Sequence, residues 1–88
     1  MATVKTATGF EAEIDESFRE DWEFFEALES TASGRVTGQV KLARCLLSDA
    51  DLKRLKDHCR EDNGRVSAEK MTEELFDIIK NTPSGKNS

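Results

Sequence analysis

Ser17-Phe18-Arg19-Glu20-Asp21-Trp22-Glu23-Phe24-Phe25-Glu26-Ala27-Leu28 holds the chain's only tryptophan and three of its five phenylalanines, so the rest of the fold should be organised around it. Phe18, Trp22 and Phe25 recur at spacings of four and three. At about 100° per residue they fall on one helical face, with Phe24 and Leu28 widening the stripe on one side. Arg19, Glu20, Glu23 and Glu26 take the remaining surface. Ser17 followed three residues later by Glu20 has the form of a capping box, with Asp21 as the alternative cap. The stretch therefore reads as an anchoring helix with Phe18, Trp22 and Phe25 in the core. Phe24, at the margin of the stripe, is the aromatic set aside for contact with a partner.

Eighty-eight residues make one domain, expected over 1–82, with a short polar tail at 83–88 that has nothing to bury. A chain of this size buries only about 60–65% of its unfolded surface, which leaves room for one small core and argues against a deep active site. No enzyme activity and no cofactor are expected. Cys45 and Cys59 are too few and too far apart for a disulfide scaffold or a zinc site, and read as reduced thiols in a cytoplasm. No run approaches the ~18 apolar residues of a membrane span, and no basic-then-apolar leader is visible, so no membrane association is expected.

The net charge of −5 disfavours nucleic acid, whose phosphates call for clustered lysine and arginine. Its distribution is polarised. From Glu11 to Glu29 nine acidic residues stand against Arg19 alone, whereas from Arg35 to Arg60 seven basic residues outnumber Asp49, Asp51 and Asp57. Opposed patches of this kind suit head-to-tail association of identical subunits, and a solvated surface produces the same pattern.

In chain order, Thr3 to Ile14 reads as a β-hairpin or strand arm, turning at Thr8-Gly9, with Phe10, Ala12 and Ile14 alternating against Glu11 and Glu13. Such a hairpin must lay its apolar face on the helices or pair its free edge with a neighbour. Ser30 to Gly34 is a loop. A second helix is expected over 36–47, with Val36, Val40, Ala43 and Leu47 inward, Leu42 and Leu46 beside them, and Gly38 weakening its first turn. Ser48 caps a third helix carrying Leu52, Leu55 and Cys59, which should stop at Asn63-Gly64. His58, at the edge of that stripe, lacks a partnered catalytic motif. Ser67 caps a fourth helix, with Val66 stapled to Met71 and the inward face continuing through Leu75, Ile78 and Ile79. Phe76 lies off that face, and Asn81-Thr82-Pro83 ends the helix. The fold class is thus mostly α: a small bundle of about four short helices preceded by an N-terminal β-hairpin or strand arm. Phe10, Phe24 and Phe76 are the candidate partner or self-association residues.

Glu61-Asp62-Asn63-Gly64-Arg65-Val66-Ser67 has the look of the middle of a calcium-binding EF-hand. The ends of the loop refuse it. That alignment places Cys59 where an aspartate ligates and Lys70 where a bidentate glutamate is needed, so no metal is expected and Asp62-Asn63-Gly64 is turn chemistry.

Gly9-Phe10 leading to Ile14-Asp15, then Asp21-Trp22-Glu23, Glu26-Ala27-Leu28, Leu46-Leu47, Leu55-x-x-His58-x-Arg60 and Asp62-x-Gly64-Arg65-Val66 with Glu69 together resemble the small tail assembly chaperones of long-tailed bacteriophages and prophages of Gram-positive bacteria. The resemblance spans roughly Gly9 to Lys80. It departs at Ser48, where a glycine is expected. It implies a helical, non-catalytic, self-associating protein, a homo-oligomer. That protein would coat the tape measure protein, keep its apolar helices soluble and help recruit the tail tube protein, working in the host cytoplasm and absent from the mature virion. It also implies a frameshifted longer product, for which Gly85-Lys86-Asn87 permits the slippery codon run A-AAA-AAC. The alternative reading is a small bacterial or phage regulatory protein-protein interaction module.

Overall fold

In the computed structural model, which describes residues 1–34 and 36–83 and places Val36 by its backbone alone, the alternating amino terminus forms the expected hairpin. Strands β1 (Ala2–Lys5) and β2 (Glu11–Ile14) pair antiparallel, Ala2 opposite Ile14 and Val4 opposite Ala12. Period two puts Val4, Ala12 and Ile14 in the core, while Thr3 donates to Glu13 at 2.6 Å on the wet face. The turn is closed by Gly9 N–H to Thr6 O (3.0 Å) and Thr6 N–H to Phe10 O (2.8 Å). Gly9 stands at φ +96°, the left-handed position this tight turn assigns to glycine.

The aromatic stretch does not form the single helix expected of it. Asp15 accepts from the Ser17 N–H (3.0 Å) and hydroxyl (2.8 Å), which holds its carboxyl below the usual range and starts a 3-10 turn over Glu16–Glu20. Asp21 is extended, accepts from Glu23 N–H at 2.9 Å, and opens α1 (Trp22–Ala32). Ser17 is therefore not the cap, and the break resets the helical phase. Phe18 is buried from the 3-10 turn, its ring edge-on to that of Phe24 at 4.8 Å between centroids. The inward face of α1 runs Phe24, Ala27, Leu28 and Thr31. Trp22 and Phe25, expected in the core, are 72% and 49% exposed.

Arg19, the one cation in the acidic stretch, has a structural task. Its guanidinium donates to the carbonyls of Ile79 (2.9 Å), Thr82 (2.9 Å) and Pro83 (2.8 Å), at the carboxyl end of α4 (Ala68–Asn81). A positive fork there satisfies orphan carbonyls and faces the negative end of the helix dipole. It also lies 4.8 Å from the centroid of the Phe18 ring. Arg19→Ala should cost about 2 kcal/mol and lower the melting temperature by on the order of 10 °C, with Arg19→Lys restoring only part, because an ammonium cannot reproduce the fork. A melt of Arg19→Ala coincident with the parent would show the cap to be idle.

Helix α2 (Val36–Leu46) buries Leu42, Ala43 and Leu46, with Leu47 just beyond its end. Val40, expected inward, is 49% exposed, because it lies about 90° from the centre of those four positions. Ser48 caps α3 (Asp49–His58), accepting from Asp51 N–H at 3.2 Å, and Leu55 and Cys59 are buried as expected. The helix ends at His58, short of Asn63-Gly64. Arg60 instead bridges to Val66, Glu61 N–H bonds Arg65 O at 2.8 Å, and Gly64 at φ +87° closes the turn between them. Lys70, at the position where a calcium loop needs its glutamate, forms an ion pair with Glu61 at 3.6 Å. Ser67 caps α4 by accepting from Lys70 N–H at 3.2 Å, and Val66 and Met71 both pack against the core. Leu75 and Ile78 are buried, and Thr82 follows the last turn. The tail expected at 83–88, with the Gly85–Asn87 codon run, lies outside the described residues from Ser84 onward.

Candidate protein-interaction surface

Of the three phenylalanines singled out as contact residues, two are core. Phe10 is 5% exposed, its ring 5.6 Å from that of His58 and 5.0 Å from the Arg54 guanidinium. Phe24 is 3% exposed against Phe18. Neither is available to a partner while the chain is folded. Phe76 is 42% exposed on the outer side of α4, beside Ala7, Glu73, Asp77 and Lys80 in an open depression.

A polar cluster ties the hairpin tip to the helices. Thr8 Oγ1 donates to Glu74 Oε2 at 2.6 Å and lies 2.8 Å from His58 Nε2, while Ala7 N–H donates to Asp77 at 2.7 Å and Asn81 donates to Lys5 O at 3.0 Å. A hydroxyl has one proton. With it committed to Glu74, Thr8 accepts from His58, which selects the Nε2–H form of the ring. Glu74, Asp77 and Asn81 project at helical spacing from one side of α4, so their common task is to seat the turn. Glu74 Oε1 is buried without a partner among the described residues. Both thiols are poor nucleophiles: burial, then Glu74, pushes the Cys59 pKa up, and burial, then Asp21 and Glu23, does the same for Cys45.

Two further apolar features lie at the surface of the described residues. The first is the outer stripe of α1, where Trp22 and Phe25 stand beside Glu26 and Glu29 around a depression that Lys41 of α2 also lines. The indole N–H of Trp22 donates to Glu26 at 3.0 Å, holding the ring along the helix. The second is a groove of about 280 Å³ between α2, α3 and α4, walled by Val40, Ala43, Leu52, Val66, Met71 and Leu75. Arg44 and Lys56 are its charged lining residues, and no carboxylate lines it among the described residues. Neither cation forms an ion pair among those residues. Such a trough accepts bulky apolar side chains carried on an acidic or neutral backbone element. No helix among the described residues is long and apolar enough to cross a membrane.

No family model, curated protein or solved structure matches this chain. Its surface chemistry therefore carries the functional reading. Sequence reasoning missed Trp22, Phe25 and Val40 as surface residues, although a signal for the first two was present. Their helical phase continues into Glu26 and Glu29, whereas that of Phe24 continues into Ala27 and Leu28.

Proposed function

We propose that the chain is a tail assembly chaperone of a long-tailed phage or prophage, which coats apolar helices of the tape measure protein in the host cytoplasm and helps bring tail tube subunits to it. The observation that carries this reading is the α2–α3–α4 groove, an apolar trough on a protein of net charge −5. A client helix lays its apolar side chains into the groove, and the surplus negative charge of the coat keeps the complex dispersed. The motif order from Gly9 to Lys80 supports the same assignment. A regulatory interaction module would use the groove equally well, and gene order separates the two. A chaperone gene lies between those for the tail tube and the tape measure.

Co-expression tests the client directly. The parent chain should copurify with the tape measure protein and keep it in the supernatant. Val40→Glu places a carboxylate in the groove at a half-exposed position, so it should abolish copurification with little change in melting temperature. A tape measure protein that precipitates equally with and without the chain would overturn the proposal.

A further inference from the structure

We infer that in the free protein the α2–α3–α4 groove is filled by Trp22 and Phe25 from α1 of a second copy, so that self-association and client binding exclude each other. The inference rests on the groove being the client site and names what occupies it beforehand.

The two features match in shape class and in charge. Trp22 and Phe25 are large apolar side chains one helical turn apart, 72% and 49% exposed, on a helix whose only charged residues are Glu23, Glu26 and Glu29. The groove has apolar walls and the cations Arg44 and Lys56. Seating the aromatics there brings carboxylates toward Lys56 and takes two exposed rings out of water, whereas Arg44 already borders a depression with Asp21, Glu23 and Glu26 of its own chain. Aromatic anchors in a pocket with complementary charge at its border are the usual core of a specific interface.

A chain does not fill its own groove in this structure. No residue lines both the α1 depression and the groove. Lys41 of α2 borders the first, and Val40, Ala43 and Arg44 of the same helix border the second, so α2 separates them. The contact is heterologous in its parts, one knob into one groove. Used reciprocally it closes a two-fold dimer, and used in one direction it extends a chain of subunits.

Complementary loss-of-function variants test the pairing in either arrangement. Trp22→Ala/Phe25→Ala removes the knob and every tryptophan, whereas Val40→Glu spoils the groove and keeps Trp22 as the sole fluorophore. All substituted positions are half-exposed or more, so unchanged circular dichroism melts should certify both folds. In sedimentation the parent should gain mass with concentration, and each variant alone should remain a monomer. An equimolar mixture should form a one-to-one complex, with the tryptophan emission of the Val40→Glu partner shifting to shorter wavelength. Adding tape measure protein should disperse the parent assembly. A parent that stays monomeric, variants that associate as tightly as the parent, a mixture that does not pair, or an assembly that binds tape measure protein and yet stays intact would overturn the inference. The client reading is separable, because Trp22→Ala/Phe25→Ala retains an intact groove and should still copurify with the tape measure protein. Loss of self-association with copurification retained supports both statements. Pairing without copurification removes the client alone.

Discussion

Gly38→Ala should destabilise the chain even though alanine is the better helix former. On propensity alone the change should gain up to about 1 kcal/mol, the helix-interior value being an upper bound at this first-turn position. A Cβ at position 38 would instead lie 2.5 Å from Thr31 N, 2.7 Å from Ser30 Cβ and 2.8 Å from Ser30 C. Two of these are backbone atoms of α1, which cannot rotate away as a side chain tip can. The two helices must separate, and overpacking of this kind costs about 1–3 kcal/mol, at the upper end where backbone has to move. The clash wins, for a net loss of about 2 kcal/mol and a melting temperature lower by on the order of 10 °C. Thr37→Ala, at the exposed neighbouring position, is the control and should melt with the parent or slightly above it. A Gly38→Ala protein at least as stable as the parent would mean that α1 and α2 do not approach this closely.

Leu55→Ala should cost about 3 kcal/mol. Helix α3 reads Asp-Ala-Asp-Leu-Lys-Arg-Leu-Lys-Asp-His, and within it Leu55 alone is fully buried while Leu52 is half-buried. Large-to-small changes at such sites lose the transfer free energy of the deleted methyl groups plus a cavity term, about 2–5 kcal/mol together. Set against about 4–13 kcal/mol for a domain of this size, that is a large fraction of the stability. The denaturation midpoint should fall at nearly constant slope, and α3 amides should exchange faster than those of α4. Leu52→Ala, already partly solvated, should lose less than half as much. Equal losses at the two positions would contradict the burial that distinguishes them.

Much of the architecture was legible because its signals are local. The Gly9 turn, the alternation of Phe10, Ala12 and Ile14, and the caps Ser48 and Ser67 each act within about four residues, through one hydrogen bond or one allowed backbone region. The inward face of α4 was legible for the same reason: Leu75 and Ile78 have only one apolar side of the helix to belong to, and Phe76 stands off it. The candidate interaction site was not. A groove shared by α2, α3 and α4 exists only once three helices have packed, and no single helix carries a record of it.

The amino-acid sequence by itself determined a hairpin followed by four helices, with cap signals for the first, third and fourth, a small acidic surface and a polarised charge distribution, since propensity, capping and net charge are properties of short segments. The tertiary structure decided which competing local choices prevailed. Asp15 and Asp21 both offer caps, and packing used both, which detached Phe18 from Trp22 and turned Phe24 rather than Phe25 inward. Gly38 looked like a weak helix residue and is where α1 and α2 touch; Arg19 looked like an isolated cation and closes the end of α4 sixty residues away. The partners of Arg19 lie sixty or more residues away, and those of Gly38 lie seven and eight residues back on a different helix. Whether a side chain is buried depends on what approaches it, and that is settled by the whole core at once.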